Sequence, residues 1–162
     1  TPCFRREGGA AGSKERGLIR VHQFNKVEMF AFTRPEESEE MFELMLKSAE
    51  EILQGLGLHY RNMLLVTGDM SFAAAKTVDI EAYLPGQNRY YEVSSVSNCT
   101  DFQSRRSQIR CKAPGGKTRL VHTLNGSGLA TSRLMVALLE NNQNKDGTVS
   151  LPSVLNRYLS IP

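Results

Sequence analysis

The 162-residue sequence has no run of about 18 apolar residues, so no segment reads as a membrane-spanning helix. It has no basic stretch leading into an apolar core, so no segment reads as a secretion signal. Cysteines are few: Cys3, Cys99 and Cys111 stand far apart, with no Cys-x-x-Cys pair. That odd, scattered set fits free thiols in a reducing, cytoplasmic setting rather than a disulfide framework. The histidines His22, His59 and His122 are equally scattered, which argues against a zinc site. No large excess of one charge exists. A net charge of +3 is compatible with a phosphate-bearing partner without demanding one. No Ser-His-Asp or Cys-His arrangement can be defended from spacing. Repeats, low-complexity tracts and linkers are also missing, so the length fits one domain with a real core.

What is there is an alternation of strand and helix patterns. Residues 1–7 read as an extended segment, and "GGAAGSKER" (8–16) reads as a loop whose glycines leave little to bury. "GLIRVHQFNKVEMFAF" (17–32) has the period of one strand. Its packing face would carry Ile19, Val21, Val27, Met29 and Ala31, and its other face Arg20, His22, Phe24, Lys26 and Glu28. A helix follows over 33–57, with Thr33 and Glu36 as a capping box and Pro35 in the first turn. Its apolar stripe is Met41, Met45, Ala49, Ile52 and Leu56, widened by Phe42, Leu46 and Leu53. Strands are expected at 59–67, 77–84, 90–96 and 118–126, with "PGQN" as a turn and 97–117 as a polar segment. A second helix is expected from Ser127 or Gly128 to Gln143, burying Leu134, Val136, Leu138 and Leu139. About five strands joined by short turns, with two helices, predict an α+β domain: an antiparallel β-sheet flanked by helices.

Three constellations carry chemistry. Arg5, Glu7, Arg20, Phe24 and Glu28 combine phosphate-gripping guanidinium groups, a ring that can stack and acids that can accept from an amine. Arg20, Phe24 and Glu28 are spaced by four on one strand face, roughly 13 Å per step, which suits separate parts of an extended ligand. A solvated sheet face explains the same pattern. Glu92 with Ser94 and Ser95 could hold a hard cation such as Mg²⁺ through oxygens, or could belong to a polar edge strand. "HTLNGSGLATSR" could place amides of a helix N-terminus and Arg133 near an anion. "PGGKT" (114–118) ends like a P-loop, but Cys111 stands where that motif needs its first glycine, so it reads as a turn.

Together these stretches resemble a known family. "FRRE" followed by a loop and "GLIRVHQF" is similar to motif 2 of class II aminoacyl-tRNA synthetases, and "GLATSR" to motif 3. "PCFRREGGAAGSKERGLIRVHQFNKVE", "TGDMSFAAAKTVDIEAYLPGQNRYYEVSSVSNCTDFQSRR" and "KTRLVHTLNGSGLATSR" resemble the bacterial-type seryl-tRNA synthetases, in order and over essentially the whole chain.

The resemblance implies a partial class II catalytic core, with motif 2 at about 2–28 and motif 3 at about 126–140. It implies that Arg5 and Arg133 are catalytic. ATP would be held by Arg5, Arg6, Glu7, Arg20, Val21, Phe24, Glu92, Val93, Ser94, Ser95 and Arg133. Serine would meet Arg5, Glu28, Asn125 and Ser127, and Mg²⁺ would sit on Glu92 and Ser95. Glu7 would also lie near the tRNA terminal adenosine, and the loop at 8–16 near the acceptor end. The implied partners are ATP, serine and serine tRNA, with selenocysteine tRNA where it exists, in a homodimeric full-length protein without zinc or membrane. The implied function is serine–tRNA ligation; the alternative is a non-catalytic nucleotide- or RNA-binding relative. The family's tRNA-binding arm, motif 1 and Thr-x-Glu loop lie upstream of motif 2, so residues 1–162 alone are expected to show little activity. Arg6 replaces a serine common in relatives, and Thr131-Ser132 replace smaller or apolar residues.

Overall fold

A computed structural model describes residues 1–7, 15, 17–112 and 115–159. The period-two stretches build a six-stranded antiparallel sheet. Its strands are β1 (Pro2–Phe4), β2 (Gln23–Thr33), β3 (Tyr60–Leu64), β4 (Lys76–Leu84), β5 (Arg89–Asn98) and β8 (His122–Ala130). They lie in the order β1-β2-β8-β5-β4-β3. Strands β6 (Arg110–Lys112) and β7 (Thr118–Leu120) form a separate ribbon whose turn includes Gly115 and Gly116 at positive φ. The turn expected at "PGGKT" is therefore present, although Pro114 lies outside the described residues. Most of the loop expected at 8–16 also lies outside them.

Among the described residues three α-helices accompany the sheet: α1 (Ser38–Gly55), α2 (Phe102–Ser107) and α3 (Thr131–Asn142). Helix α1 buries Phe42, Met45, Leu46, Ala49 and Leu53 against Ile80, Val96 and Leu124 of the sheet. Phe42, expected only to widen the stripe, is its centre and is fully buried. Burial of such a side chain contributes about 1.5–3 kcal/mol. Helix α3 adds Leu134, Ala137 and Leu138 to the same core, while Leu139 is exposed rather than buried.

Four local expectations change. The segment 17–32 is not one strand: Gly17–Ile19 form a 3₁₀ turn, led by Gly17 at φ +64°, and the strand starts at Gln23. Val27 is 61% exposed, so it does not pack as expected. The first cap of the helical segment lies one residue later than Thr33 and Glu36. The Arg34 amide donates to the Glu37 carboxylate at 3.3 Å, and the Ser38 hydroxyl donates to the Pro35 carbonyl at 3.0 Å. Finally, Gly126 makes no turn, and residues 127–130 are strand rather than helix. Their backbone pairs with β2 as far as Lys26↔Ala130, and this ladder overrides the helical tendency of "GLATSR".

Candidate functional site

Register decides which side chains meet. Paired residues of neighbouring strands share a sheet face. On the face away from the core, β2 presents Phe24, Lys26, Glu28, Phe30 and Phe32. Strand β8 sets Ser127 opposite Glu28, and Asn125 opposite both Phe30 and Ser97. Strands β4 and β5 add three rungs: Thr77↔Ser97, Asp79↔Ser95 and Glu81↔Glu92.

Two bulges set this up. Val27 pairs with Leu129, but Glu28 pairs with Ser127, so Gly128 is the extra residue on β8. Ile80 pairs with Ser94, but Glu81 pairs with Glu92, so Val93 is the extra residue on β5. Three residues apart on a regular strand, Glu92 and Ser95 would point to opposite faces. The bulge at Val93 brings both to the open face. A carboxylate and a hydroxyl are hard oxygen donors, so the pair has the chemistry to fit Mg²⁺ shared with a phosphate-bearing ligand. Among the described residues no cluster of three or more His, Cys, Asp or Glu could hold a metal, which such a shared site does not require.

At the β2 end, Arg5, Phe24, Lys26, Glu92, Ser127 and Arg133 converge on one cleft, also lined by Ile19, Val21, Val93 and Ser132. The Arg5 amide donates to the His22 carbonyl at 2.8 Å, fixing the segment that carries the guanidinium. That guanidinium lies 4.9 Å from the centre of the Phe24 ring. Glu7 has φ +51°, uncommon for a residue with a side chain. One of its oxygens receives Arg20 Nε at 2.5 Å; the other is buried without a hydrogen-bond partner among the described residues. Arg133 Nε donates to the Ile19 carbonyl at 3.1 Å, and its Nη1 reaches the Glu92 carbonyl at 2.9 Å and carboxylate at 3.0 Å. The cleft measures about 80 Å³, below the ~300 Å³ at which ligand pockets begin. A neighbouring cleft of about 420 Å³ shares Val21, Phe24 and Ser132, so Phe24 stands between the two.

Deeper on the open face, Glu28 is held 2.9 Å from Lys26 Nζ and 3.5 Å from the Ser127 hydroxyl. Asn125 Nδ2 points to the Cys99 thiol at 3.7 Å, and burial pushes that thiol's pKa up. Burial also pushes the Asp79 carboxyl up, opposed by the Ser95 hydroxyl and reinforced by Glu92 and Glu81.

The structure thus brings Arg5, Val21, Phe24, Glu92, Val93, Ser127 and Arg133 to one cleft, with Glu28 and Asn125 beside it. Arg20 and Glu7 occupy each other. Arg6 is exposed and lines none of these clefts. Ser94 faces the core, where its hydroxyl donates to the Ser127 carbonyl at 2.5 Å, so its side chain does not enter the cleft. Residue reading passed over Lys26 and Asp79 as site members. Lys26 alternates in phase with Phe24 and Glu28, which is the signal that could have found it, whereas Asp79 has no chosen neighbour on its own strand.

The chain matches the family model for the tRNA synthetase class II core domain (G, H, P, S and T) over residues 1–142. It is 67% identical over 159 residues to the serine–tRNA ligase of Chlamydia caviae, covering 98% of this chain and 37% of the relative. It is 61% identical over 160 residues to that of Chlamydia trachomatis serovar L2, covering 99% and 37%. Among solved structures, seryl-tRNA synthetase from Pyrococcus horikoshii complexed with ATP superposes with a TM-score of 0.92 at 52% identity, covering 97% of this chain and 35% of that one. The cytoplasmic serine–tRNA ligase of Naegleria fowleri in complex with AMP gives a TM-score of 0.89 at 42% identity, covering 98% and 37%. The chain spans a little over a third of the length of these relatives. Its antiparallel sheet, the two bulges that load one face with polar groups and the family match agree: the chain belongs to the class II tRNA synthetase core-domain family.

Proposed function

We propose that the protein carrying this chain is an ATP-dependent serine–tRNA ligase. The observation that carries the reading is the convergence of Arg5, Phe24, Glu92, Ser127 and Arg133, from separate stretches of sequence, on one cleft. The ATP and AMP bound in the two structural relatives are the ligands that such residue types suit.

In the first step a serine carboxylate oxygen attacks the α-phosphorus of ATP, and pyrophosphate leaves. In the second, a ribose hydroxyl of the tRNA terminal adenosine attacks the carbonyl of seryl-adenylate, and AMP leaves. No protein nucleophile is needed, so catalysis rests on positioning and charge stabilisation. Arg5 grips the α-phosphate and the serine carboxylate. Phe24 offers its ring to adenine, with Arg133 on the base's other side. Glu7 has a buried oxygen without a partner among the described residues, an acceptor suited to an exocyclic amine. Arg20 serves the terminal phosphates once it parts from Glu7. Glu92 and Ser95 would hold Mg²⁺, which would supply neutralisation of phosphate charge. Val93 and Val21 wall the cleft, and Ser94 fixes the Ser127 backbone. Glu28 receives serine after releasing Lys26, with Asn125 and Ser127 beside it. Loss of these buried hydrogen bonds would reject alanine. Arg133 and Glu92 must separate for nucleotide and metal to enter, which accounts for the small cleft.

The full protein is read as a cytoplasmic homodimer acting on serine tRNA. Among the described residues no helix is long and apolar enough to cross a membrane. The test is serine-dependent ATP–pyrophosphate exchange by the full-length protein. Exchange with serine and not with alanine or threonine is expected. ATP binding without exchange would instead make it a nucleotide-binding relative.

A further inference from the structure

Three rungs of polar side chains cross β4 and β5 on the open face, and two of them are balanced within the chain. The Thr77 and Ser97 hydroxyls bond each other at 2.8 Å. Glu81 and Glu92 face each other as like charges, which is unfavourable unless each is compensated. Each has its own arginine: Arg61 lies 2.7 Å from Glu81, and Arg133 3.0 Å from Glu92. The middle rung, Asp79↔Ser95, forms no ion pair among the described residues. Asp79 is half-buried, and its Oδ1 is fully covered without a hydrogen-bond partner among the described residues. An unsatisfied buried acceptor is costly, and folded proteins keep few of them.

We propose that Asp79 is a positioning residue for the metal site, aligning the Ser95 hydroxyl as a magnesium ligand; this rests on the serine–tRNA ligase reading. A serine hydroxyl has one proton and two lone pairs. It ligates a cation only if its proton is directed elsewhere. The Asp79 carboxylate, paired across the ladder with Ser95 on the same face, is placed to accept that proton and leave the lone pairs facing the cleft. The covered Oδ1 lacks a donor among the described residues, and the Ser95 hydroxyl is the side-chain donor that the register sets opposite Asp79. Asp79 touches neither substrate nor metal. It works through Ser95.

The test uses the full-length protein with Mn²⁺ as the probe, titrated in the presence of ATP and followed by its electron paramagnetic resonance signal. Partners of metal ligands typically cost 10–100-fold in metal affinity when removed. Asp79→Asn keeps the shape and removes the charge. It should weaken Mn²⁺ half-saturation about tenfold while metal-free ATP binding stays unchanged. Ser95→Ala should weaken it comparably, and the double variant should be no worse than the stronger single one. Unchanged Mn²⁺ affinity in either single variant overturns the inference, as do effects that multiply in the double variant. If Asp79→Asn does not fold, Asp79→Ala, which also removes the charge, is titrated in its place and decides by the same criterion. Wild-type protein without serine-dependent exchange would sink the ligase reading instead, which is a separate outcome.

Discussion

The two faces of the sheet are built by opposite rules. The covered face is apolar and continuous: Ile80, Val96 and Leu124 meet Phe42, Ala49 and Leu134 with little room left. The open face alternates charge, hydroxyl and exposed ring, with Phe30 at 70% and Phe32 at 61% exposure. The same strands make both, since neighbours along a strand point oppositely. One face holds the fold together, and the other pairs cations and acids whose partners must be exchanged when ligand arrives. Stability and function should therefore separate by residue parity.

The largest effect belongs to the covered face. Phe42→Ala should lower unfolding free energy by about 3–5 kcal/mol, because the packed surroundings cannot fill the space. Urea denaturation measures this. Residual folded protein should keep its affinity for ATP, and a selective loss of ATP binding at full stability would break the comparison.

Next comes Arg5→Ala on the ligand side. Removing a preorganised cation from a developing phosphate charge typically costs about 100–1,000-fold in rate. Pyrophosphate exchange should fall by that order while the thermal midpoint moves little, since Arg5 is exposed and its main side-chain contact is the Phe24 ring. A large stability loss with intact exchange would reverse the assignment.

Glu28→Ala should act more narrowly. Hydrogen bonds to charged groups are worth about 1.5–3 kcal/mol, which corresponds to a rise of roughly 10–100-fold in the serine KM. The ATP KM should stay within about twofold, because the Glu28 partners Lys26 and Ser127 sit on the serine side of the proposed site. Equal changes in both constants would remove Glu28 from the serine pocket.

Residue types and periods carried much of this architecture into view. The helix stripe from Met41 to Leu56, the strand pairs and the α+β class follow from periodicity. The convergence of Arg5, Phe24 and Arg133 was legible only through the family motifs. The bulges were not legible at all. A bulge is a mismatch in count between partner strands, and nothing at Val93 or Gly128 announces which residue the neighbouring strand skips. For the same reason Asp79 went unnoticed: its meaning comes from Ser95, sixteen positions away and across a ladder. The helix start also misled. "GSGLATSR" has the small residues of a cap, yet Gly126, Ser127, Leu129 and Ala130 pair with β2, and a helix beginning at Ser127 or Gly128 would forfeit that ladder.

The smallest effect tests where the covered face ends. Periodicity places Val27 in the packing set, and its register with Leu129 puts it on the same face as Met29 and Ala31. Its exposure of 61% says that the covering layer stops short of it. Val27→Thr separates these views, because the two side chains match in shape and both favour strands. In a packed interior the new hydroxyl would lack a partner and cost about 1–3 kcal/mol. At an exposed strand position the change should stay within about 0.5 kcal/mol. A near-zero shift in urea midpoint places the boundary of the core between Val27 and Met29, and a loss above about 1 kcal/mol extends the covered face to the edge of the cleft.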